Sequence, residues 1–305
     1  MLHLTLRQLQ VFEAAARHLS YSRAAEELHL SQPGVSMQIK QLEEVTGQPL
    51  FEQLGKKLYL TDSGREVQRT ALAVAQQLAD LENSLDELHG LRQGSLTVGV
   101  VSTASSFAIR LISQFRQLHP QVRITLNVMN RETLLDHLAN NRIDLALMGL
   151  PPPGHDLSEV AFMENPLVVI APLNHPLAGQ SAIPLSRIAG ESFVAREAGS
   201  GTRMAAEAFF NSHGLVWQVA MEMNKNEAIK LAVEAGLGLG LVSRHTVAIE
   251  LAARRICSLD VEGFPIIRHW HLVSRQNKRF SAVARAFSEF VLSEARDRPS
   301  LRLGI

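Results

Sequence analysis

The sequence predicts an N-terminal all-α winged helix-turn-helix, a long linker helix and a C-terminal α/β region of two Rossmann-like lobes. Three observations carry this prediction: short helical patterns at the start, a regular apolar repeat after them, and branched apolar runs alternating with helical stretches beyond Gly94. The α/β pattern is longer than the commonest domain, so we expect two lobes rather than one. The expected domains are 1–62, 63–92 and 93–305, with the first lobe at about 93–165 and 268–305 and the second at about 166–267.

The composition is typical of a soluble globular protein. Of 305 residues, 46% are hydrophobic and 20% charged, and 30 Lys plus Arg balance 30 Asp plus Glu. Any contact with a polyanion must therefore come from local placement of basic residues. Cys257 is the single cysteine, so an internal disulfide is excluded, and no Cys/His spacing resembles a zinc site, which favours a reducing compartment. Since "MLHLTLRQLQ" lacks the order of a signal peptide and no apolar run approaches the ~20 residues of a membrane span, we expect a cytoplasmic protein without a membrane partner.

The N-terminal part has the pattern of three short helices and a wing. Thr5 and Gln8 have the spacing of a capping box, and apolar residues follow at helical spacing. After a second short helix and a turn, Ser31 can cap a third helix in which Pro33 is tolerated in the first turn. Two helices joined by about three residues form a helix-turn-helix pattern. Two short apolar runs around Gly55 then predict a two-stranded wing.

The third helix presents a face without acidic residues. Val35, Ile39 and Leu42 stand at i, i+4 and i+7 and should face the core, while residues 32–42 contain no acid. Glutamine and serine near the start of such a helix can bond base edges in the major groove. We predict a DNA contact made by Arg23, Ser31, Gln32, Pro33, Ser36, Met37, Gln38, Lys40, Gln53, Lys56 and Lys57. A helical hairpin inside a larger bundle stays open as the alternative, because residues 1–65 hold seven basic and seven acidic side chains.

From Gly64 to about Gly90 the pattern is that of one long helix. Its apolar residues recur at alternating steps of four and three, which is a heptad seam. The seam consists of Val67, Ala71, Val74, Leu78, Leu81, Leu85 and Leu88. A core helix of one domain would show a similar stripe, but the regular steps and the length of ~40 Å at 1.5 Å per residue favour pairing with a second copy of the chain.

Beyond Gly94, strands and helices alternate. The runs "SLTVGVVS", "VRITLNVM", "DLALMG", "PLVVIAP" and "GLGLVS" read as strands, with helical stretches such as "SSFAIRLISQFRQLH" between them. This order predicts a parallel sheet with helices on both faces. We expect the chain to cross between the lobes near 164–166 and to return near 267–271, so that the last helix packs on the first lobe.

Two loops that follow strands form a candidate anion site. "FVAREAGSGTR" places glycines between a strand and a helix, where free backbone N–H groups face an anion, and the loop in "VVSTASSF" has the same position. Ligands of doubly wound sheets bind outside the carboxyl ends of strands, so both loops can face one cleft between the lobes. The candidate effector residues are Ser102, Thr103, Ser105, Asn130, Arg131, Arg196, Gly199, Ser200, Gly201, Thr202 and Arg203. On composition alone, a glycine-rich turn that merely caps a helix is equally consistent.

Other patterns do not indicate chemistry. "EAGLGLGLVS" lacks the third glycine of a dinucleotide fingerprint and leads from a helix into a strand, the reverse of the required order. His269 and His271 share one strand face and could ligate a metal, but no third ligand converges with them. No Ser/His/Asp set or carboxylate pair stands at a motif spacing. We therefore expect no metal, no cofactor and no enzymatic activity.

The run "LRQLQVFEAAARHLSYSRAAEELHLSQPGVSMQIKQLEEVTGQPLFEQLGKKLYLTDSGR" resembles the winged helix-turn-helix of LysR-type transcriptional regulators. The rest of the chain has the plan of that family, a linker helix and two lobes similar to periplasmic solute-binding proteins, so the resemblance spans essentially the whole chain. It implies that Gln32, Pro33, Ser36 and Met37 face the major groove, that the wing reaches the minor groove, and that an effector binds between the lobes. Many members carry arginine where this chain has Met37 and Gln53, which puts its base preferences and wing contact outside the common pattern.

These observations lead to one principal hypothesis, a homodimeric or homotetrameric transcriptional activator that binds double-stranded operator DNA and responds to a small anionic metabolite. "NPLVVIAPLNHPLAG" and "REAGSGTR" resemble the branch of the family that regulates carbon-dioxide-fixation operons, which implies a phosphorylated sugar or a reduced nicotinamide nucleotide such as NADPH as effector. One alternative is a solute-binding module or enzyme that uses loop 199–202, with the N-terminal domain only oligomerising. Another is ligand-independent DNA binding with an inert cleft.

Overall fold

The computed structural model describes residues 3–55, 57–88 and 94–297. The chain divides into two compact units, Met1–Leu85 and Asp86–Ile305, and the described residues of each have their own hydrophobic core. The predicted fold class, a helical winged N-terminus followed by a two-lobed α/β region, is confirmed. Within the described ranges, no helix is long and apolar enough to cross a lipid bilayer.

The N-terminal unit is built from helices around a small hairpin. Its described elements are α1 (Leu6–His18), α2 (Tyr21–Glu27), α3 (Gln32–Thr46), β1 (Phe51–Leu54), β2 (Lys57–Leu60) and α4 (Asp62–Leu88). Val35, Ile39 and Leu42 are buried together with Phe12 and Phe51, as the helical spacing predicts. This core fixes which face of α3 points outward.

Side-chain caps set where these helices begin. Thr5 Oγ1 accepts a hydrogen bond from Gln8 N at 3.1 Å, and Gln8 Oε1 accepts one from Thr5 N at 2.8 Å, which confirms the predicted capping box. Ser31 Oγ accepts from Gly34 N at 3.2 Å, and Pro33 lies in the first turn of α3, where its missing N–H has no helical partner to lose. The start of α3 is thus fixed by the Ser31 cap and by Pro33.

The "LTDSG" segment fastens the hairpin to α4. Thr61 Oγ1 donates to the Pro49 carbonyl at 2.8 Å and accepts from Gly64 N at 2.9 Å. A Cβ added at Gly64 would lie 2.1 Å from the Leu50 carbonyl oxygen. Because backbone meets backbone there, only glycine lets α4 start this close to the hairpin.

An ion-pair cluster joins α1 to α2. Glu27 accepts from Arg17 at 2.6 Å and from His18 Nε2 at 2.6 Å, and Glu13 binds the same guanidinium at 3.0 Å. Hydrogen bonds from Arg17 and His18 lower the pKa of Glu27 to about 2. Glu27 therefore stays ionised and paired on the side of α2 that faces α1.

The C-terminal unit contains a nine-stranded sheet in the described residues, with strand order β4-β3-β5-β11-β6-β9-β7-β8 and β10 beside β6. Its elements are β3 (Gly94–Val101), α5 (Ser105–Leu118), β4 (Val122–Met129), α6 (Arg131–Ala139), β5 (Leu145–Met148), β6 (Leu157–Pro172), α7 (Leu185–Ala189), β7 (Ser192–Arg196), α8 (Gly201–Ser212), β8 (Gln218–Met223), α9 (Asn226–Glu234), β9 (Leu239–Ser243), α10 (Ala248–Ala252), β10 (Ile256–Ser258), β11 (Ile266–Arg275) and α11 (Ala282–Asp297). Short 3-10 turns follow β3 (Ser102–Ala104) and β9 (Arg244–Thr246).

The prediction of a parallel sheet is correct for the strands inside each lobe and wrong for the strands that join the lobes. β3 pairs in parallel with β4 and β5, and β7 with β8 and β9. The long strands β6 and β11 pair antiparallel with each other, with Arg268 opposite Asn165. The chain passes between the lobes once in each direction, so these two strands have to run in opposite senses.

Each lobe packs apolar side chains on its part of the sheet. The core of the first lobe includes Phe107, Trp270 and Phe287, the last of which belongs to α11. The second lobe is centred on Phe193, whose ring lies 5.1 Å from that of Trp217. The lobes therefore have separate cores, and β6 and β11 run through both.

The Glu27 cluster predicts a pH-dependent contribution to folding stability. Since the folded-state pKa is depressed, the contribution is present above the unfolded value of 4.5 and is lost as the pH falls towards about 2. Glu27→Gln should lower the free energy of unfolding at neutral pH by at most about 1 kcal/mol, because the side chain is 40% exposed and solvent screens the pair. Urea denaturation across this pH range measures the difference, with Glu26→Gln as the exposed control. A loss of the same size at about pH 2.5 and at pH 7 would refute the assignment.

Candidate DNA interface and effector cavity

The reading face of α3 is open to solvent. Gln32, Pro33 and Lys40 are exposed, and Met37 has 55% of its surface exposed, while Ser36 and Gln38 are half-buried between them. Arg23 is exposed on α2, and Ser31 caps the helix. The structure thus brings the predicted contact residues of α3 onto the surface that its buried stripe leaves free. Their contact with bases stays a prediction.

Two of the glutamates around α3 are bound by other groups of the N-terminal unit. Glu27 is held by α1, as described above. Glu43 Oε1 accepts from Leu50 N at 2.8 Å and from Phe51 N at 3.4 Å, so its charge is turned toward the base of the hairpin. The balance of charges in the sequence therefore overstates the negative charge that a DNA backbone would meet at α3.

The wing is a short antiparallel hairpin. Gln53 is exposed, and its Nε2 donates to the Gly55 carbonyl at 3.1 Å, which closes a turn with a positive φ of 64° at Gly55. Lys57 is exposed beside it, and Lys56 lies outside the described residues. The wing therefore offers a neutral glutamine and at least one lysine to a phosphate backbone.

The apolar seam of α4 divides into two parts. Val67 packs against the N-terminal core and Ala71 is 3% exposed, so these two positions are used within the chain. Val74 is half-buried, whereas Leu78 and Leu81 expose 37% and 55% of their surface. The side chains of Leu85 and Leu88 lie outside the described residues. Pairing between copies stays a prediction, and its described apolar surface is at Leu78 and Leu81.

A cavity of about 120 Å³ lies between the two lobes, where the chain passes from one to the other. Its lining includes nine of the predicted effector residues: Ser102, Thr103, Asn130, Arg131, Arg196, Gly199, Ser200, Gly201 and Thr202. Ser105 and Arg203 are not part of this lining. The two loops singled out in the sequence, after β3 and after β7, therefore do face one cleft.

Two arginines give the cavity its positive charge. Arg131 donates to the Leu150 carbonyl at 2.9 Å, and Arg268 donates to the Gly201 carbonyl. Within the described residues neither forms an ion pair with a carboxylate. Burial lowers the pKa of both guanidiniums, and the charge of Arg268 lowers that of Arg131 further. In the described residues the pair thus has no ion-pair partner, although Glu132 and Glu197 also line the cavity.

Two of the three arginines that the sequence suggested, Arg196 and Arg203, are paired with carboxylates. Arg196 lines the cavity, but it is paired with Glu197 at 2.7 Å and donates to Asn226 Oδ1 at 3.0 Å. Arg203 points away: it binds Glu207 one turn further along α8 and lies 5.7 Å from the ring of Trp217. Asn130 uses its Oδ1 to cap α6. The charge left for an anion therefore comes from Arg131 and Arg268.

Sequence reasoning missed the floor of the cavity. Asn165 and Trp270 line it with 7% and 2% exposure, and in the described part of the chain Asn165 Oδ1 and Trp270 Nε1 have no hydrogen-bond partner. Buried polar atoms without partners in the chain are available to a bound molecule. Both residues and Arg268 lie on β6 and β11, the segments expected to join the lobes, so their polar character there was the available signal.

Metal chemistry finds no support in the described residues, where no group of three or more His, Cys, Asp or Glu side chains converges. His271 Nδ1 lies 3.1 Å from the His269 carbonyl, so that ring is engaged with the backbone of its own strand. Burial lowers the pKa of His271. The ring is therefore held neutral inside the first lobe.

Substitution of Gln32 tests the reading face. Gln32→Ala should weaken binding to a selected genomic fragment by roughly 1–3 kcal/mol, because a bidentate base contact is lost. Fluorescence anisotropy measures the affinity, and Gln48→Ala, an exposed glutamine beyond the end of α3, is the matched control. The affinity should also fall gently with salt, since few basic side chains on this face release counterions. An unchanged affinity in the Gln32→Ala protein contradicts base contact by this residue.

Comparison with known proteins matches both units. Residues 6–65 match the model of "Bacterial regulatory helix-turn-helix protein, lysR family", and residues 89–296 match "LysR substrate binding domain". A RuBisCO operon transcriptional regulator of Allochromatium vinosum is 54% identical over 99% of this chain and 100% of its own length. A regulator of the same description from Acidithiobacillus ferrooxidans is 44% identical over 97% of this chain and 96% of its own.

Solved structures agree with the described fold. The regulatory domain of Synechocystis CcmR, solved in complex with 2-PG, is 38% identical and covers 67% of this chain and 99% of that chain, with a TM-score of 0.65. A full-length OxyR variant from Pseudomonas aeruginosa, at 23% identity, shares the fold with a TM-score of 0.72 over 98% of this chain and 97% of that chain. The chain is a member of the LysR family, the DNA-binding transcriptional regulators that combine a helix-turn-helix with an effector-binding domain.

Proposed function

We propose that this regulator activates a carbon-dioxide-fixation operon and that a small anionic metabolite in the cavity between the lobes controls its binding to the operator. The 54% identity to a RuBisCO operon regulator over nearly the whole chain supports the target genes. The uncompensated pair Arg131 and Arg268 supports an anionic effector and is the observation that carries the proposal. As a DNA-binding regulator it would act in the cytoplasm, where the chromosome is.

The cavity favours a small ligand. At about 120 Å³ it suits a compact acid better than a nicotinamide nucleotide. An anionic group would sit between the two guanidiniums near the start of α8, whose first N–H groups add partial positive charge. A ligand oxygen would then accept from Trp270 Nε1, and a ligand hydroxyl would donate to Asn165 Oδ1. Because the related CcmR domain is solved with 2-PG, that compound is the first candidate.

An anion at this position would act on the relative arrangement of the lobes. Arg131 begins α6 in the first lobe, whereas Arg268 lies on β11 and reaches Gly201 in the second. A ligand that binds both guanidiniums favours the arrangement in which they are close. The effector switches the protein only as far as it prefers one arrangement over the other.

The lining supports binding rather than catalysis. Arginine stays protonated at neutral pH and is a poor general base. Of the two glutamates in the lining, Glu197 is held by Arg196, and Glu132 lies at the start of α6. We therefore propose a regulator without enzymatic activity of its own. The alternative, an enzyme or solute-binding module built on loop 199–202, has no comparable observation in its favour.

Titration of 2-PG into a complex with operator DNA tests this proposal. The DNA is the region upstream of the Rubisco genes in the same genome, and the readout is the concentration of 2-PG at half-maximal change in DNA affinity. Arg268→Gln should raise this concentration about tenfold or more, because a charge-assisted hydrogen bond contributes ~1.5–3 kcal/mol. Arg203→Gln, which changes an arginine outside the cavity, should leave it unaltered. If Arg203→Gln raised this concentration as much as Arg268→Gln, the anion would bind beside Arg203, as the sequence suggested.

We further propose that two copies pair through α4, as a homodimer or within a homotetramer. Leu78 and Leu81 stand at heptad positions and are exposed in the single chain. Exposure of such apolar side chains to water is unfavourable unless a partner covers them. Leu81→Asp should shift the protein toward the monomer in sedimentation velocity. Leu54→Asp is the control, since Leu54 is 65% exposed on the wing, away from the seam. Retention of the full oligomer by Leu81→Asp would exclude pairing at this position.

A further inference from the structure

A second and larger cavity opens between the lobes. Its volume is about 800 Å³, and its walls are the start of α5 from the first lobe and α9, α10 and the turn after β9 from the second. Ser102 and Thr103 line both this cavity and the smaller one described above. The 3-10 turn that carries them therefore separates two cavities within the same unit.

In the described residues, arginines from both lobes reach the larger cavity without an ion-pair partner. Arg110 on α5 and Arg244 after β9 are exposed, and neither forms an ion pair or side-chain hydrogen bond with another residue in the described ranges. Lys230 in the same wall is different, because Glu250 holds it at 2.7 Å and the Thr246 carbonyl accepts from it at 3.2 Å. The positive charge left over is thus contributed by one arginine of each lobe.

His245 lines the same cavity as these arginines. It is 5% exposed, and its Nε2 lies 3.0 Å from the Glu164 carbonyl. A carbonyl only accepts, so Nε2 carries the hydrogen and Nδ1 of the neutral ring is an acceptor, for which the described residues provide no donor. Burial lowers the pKa of His245, and the nearby charges of Arg110 and Arg244 lower it further. The ring therefore belongs to the same positively charged wall as the two arginines.

The ends of two helices add to the same environment. α5, with 14 residues, and α9, with 9, both begin at this cavity, and neither start has a side-chain cap. Their first N–H groups therefore carry partial positive charge toward the cavity. Glu227 in the first turn of α9 offsets part of it, and Glu250 is already paired with Lys230.

We propose that this cavity is a second anion-binding site, which takes a phosphate- or carboxylate-bearing small molecule between Arg110 and Arg244. The bound anion compensates two charges that belong to different lobes, so it stabilises their approach on the opposite side of the 3-10 turn from the effector cavity. Occupation of either cavity then changes the affinity of the other by the same factor, as linkage requires. The site gives the regulator a second metabolic input.

Binding of the anion is linked to a proton. An anion beside the two arginines favours the charged form of His245, whose Nδ1 then donates to the ligand instead of lacking a donor. Besides Arg110 on α5 and Arg244 next to it, the ring faces the Glu164 backbone of β6 and the ring of Phe107. Affinity should therefore rise from about pH 8 to about pH 6. His245→Gln should remove this rise.

Calorimetric titration of the full chain with sulfate tests the proposal, because sulfate is a dianion that does not titrate in this range. The titration is made in the Arg268→Gln protein, so that the smaller cavity contributes little. Combined Arg110→Gln and Arg244→Gln substitutions should weaken sulfate binding at least about tenfold. Arg123→Gln, an exposed arginine on β4, should leave it unchanged. If the combined variant does not fold, Arg110→Gln alone decides.

Two results would overturn the proposal. One is a sulfate affinity in the combined variant equal to that of the Arg123→Gln control. The other is loss of all sulfate binding in the Arg268→Gln protein, which places the single anion site in the smaller cavity. When the sulfate affinity is unchanged, sedimentation velocity shows whether the combined substitutions alter the sedimentation coefficient. If they do, the arginines bind acidic groups of a second copy of the chain.

Discussion

The antiparallel pairing of β6 with β11 is the constraint on which the effector-binding unit depends. These strands contribute to the cores of both lobes, and they are the only described strands that run from one lobe into the other. Their register sets Arg268 opposite Asn165 and brings Trp270 to the same cavity floor. Any rotation of one lobe against the other must bend the paired strands β6 and β11. A ligand that contacts β6, β11 and the loops of both lobes therefore binds differently when the lobes rotate.

The same pairing explains which part of the site was readable from the sequence. The loops after β3 and β7 follow strands with obvious apolar runs, and the general rule for strand ends places them at one cleft. Arg268 reaches that cleft through a pairing between residues about a hundred positions apart, which no local pattern encodes. The crossover segments were recognised, but their register was not. As a result the sequence indicated the cleft and included Arg131, but it did not include Arg268.

Arg203 shows a different limit. It follows the glycine-rich loop directly, so proximity in sequence suggested proximity to the ligand. However, Glu207 stands four residues further along the same helix, a spacing that joins opposite charges on one helix face. That information was present in the sequence. In the N-terminal unit, by contrast, caps and apolar spacing determine the fold locally, and the prediction of the capping box and of the buried stripe of α3 was correct. What the sequence could not show there was that Glu27 and Glu43 are bound within the unit.

Uncompensated arginines inside a cleft are unfavourable for the folded protein alone, and this is what makes them suitable for a switch. Holding Arg131 close to Arg268 costs free energy through burial and mutual repulsion, as the lowered pKa values of both groups indicate. An arrangement with the lobes further apart would relieve that cost in the absence of a ligand. A bound anion would offset this free-energy cost, but only in the arrangement where both guanidiniums reach the ligand. The differential affinity that a switch requires thus follows from the charge pair itself, and no separate lid or latch is needed.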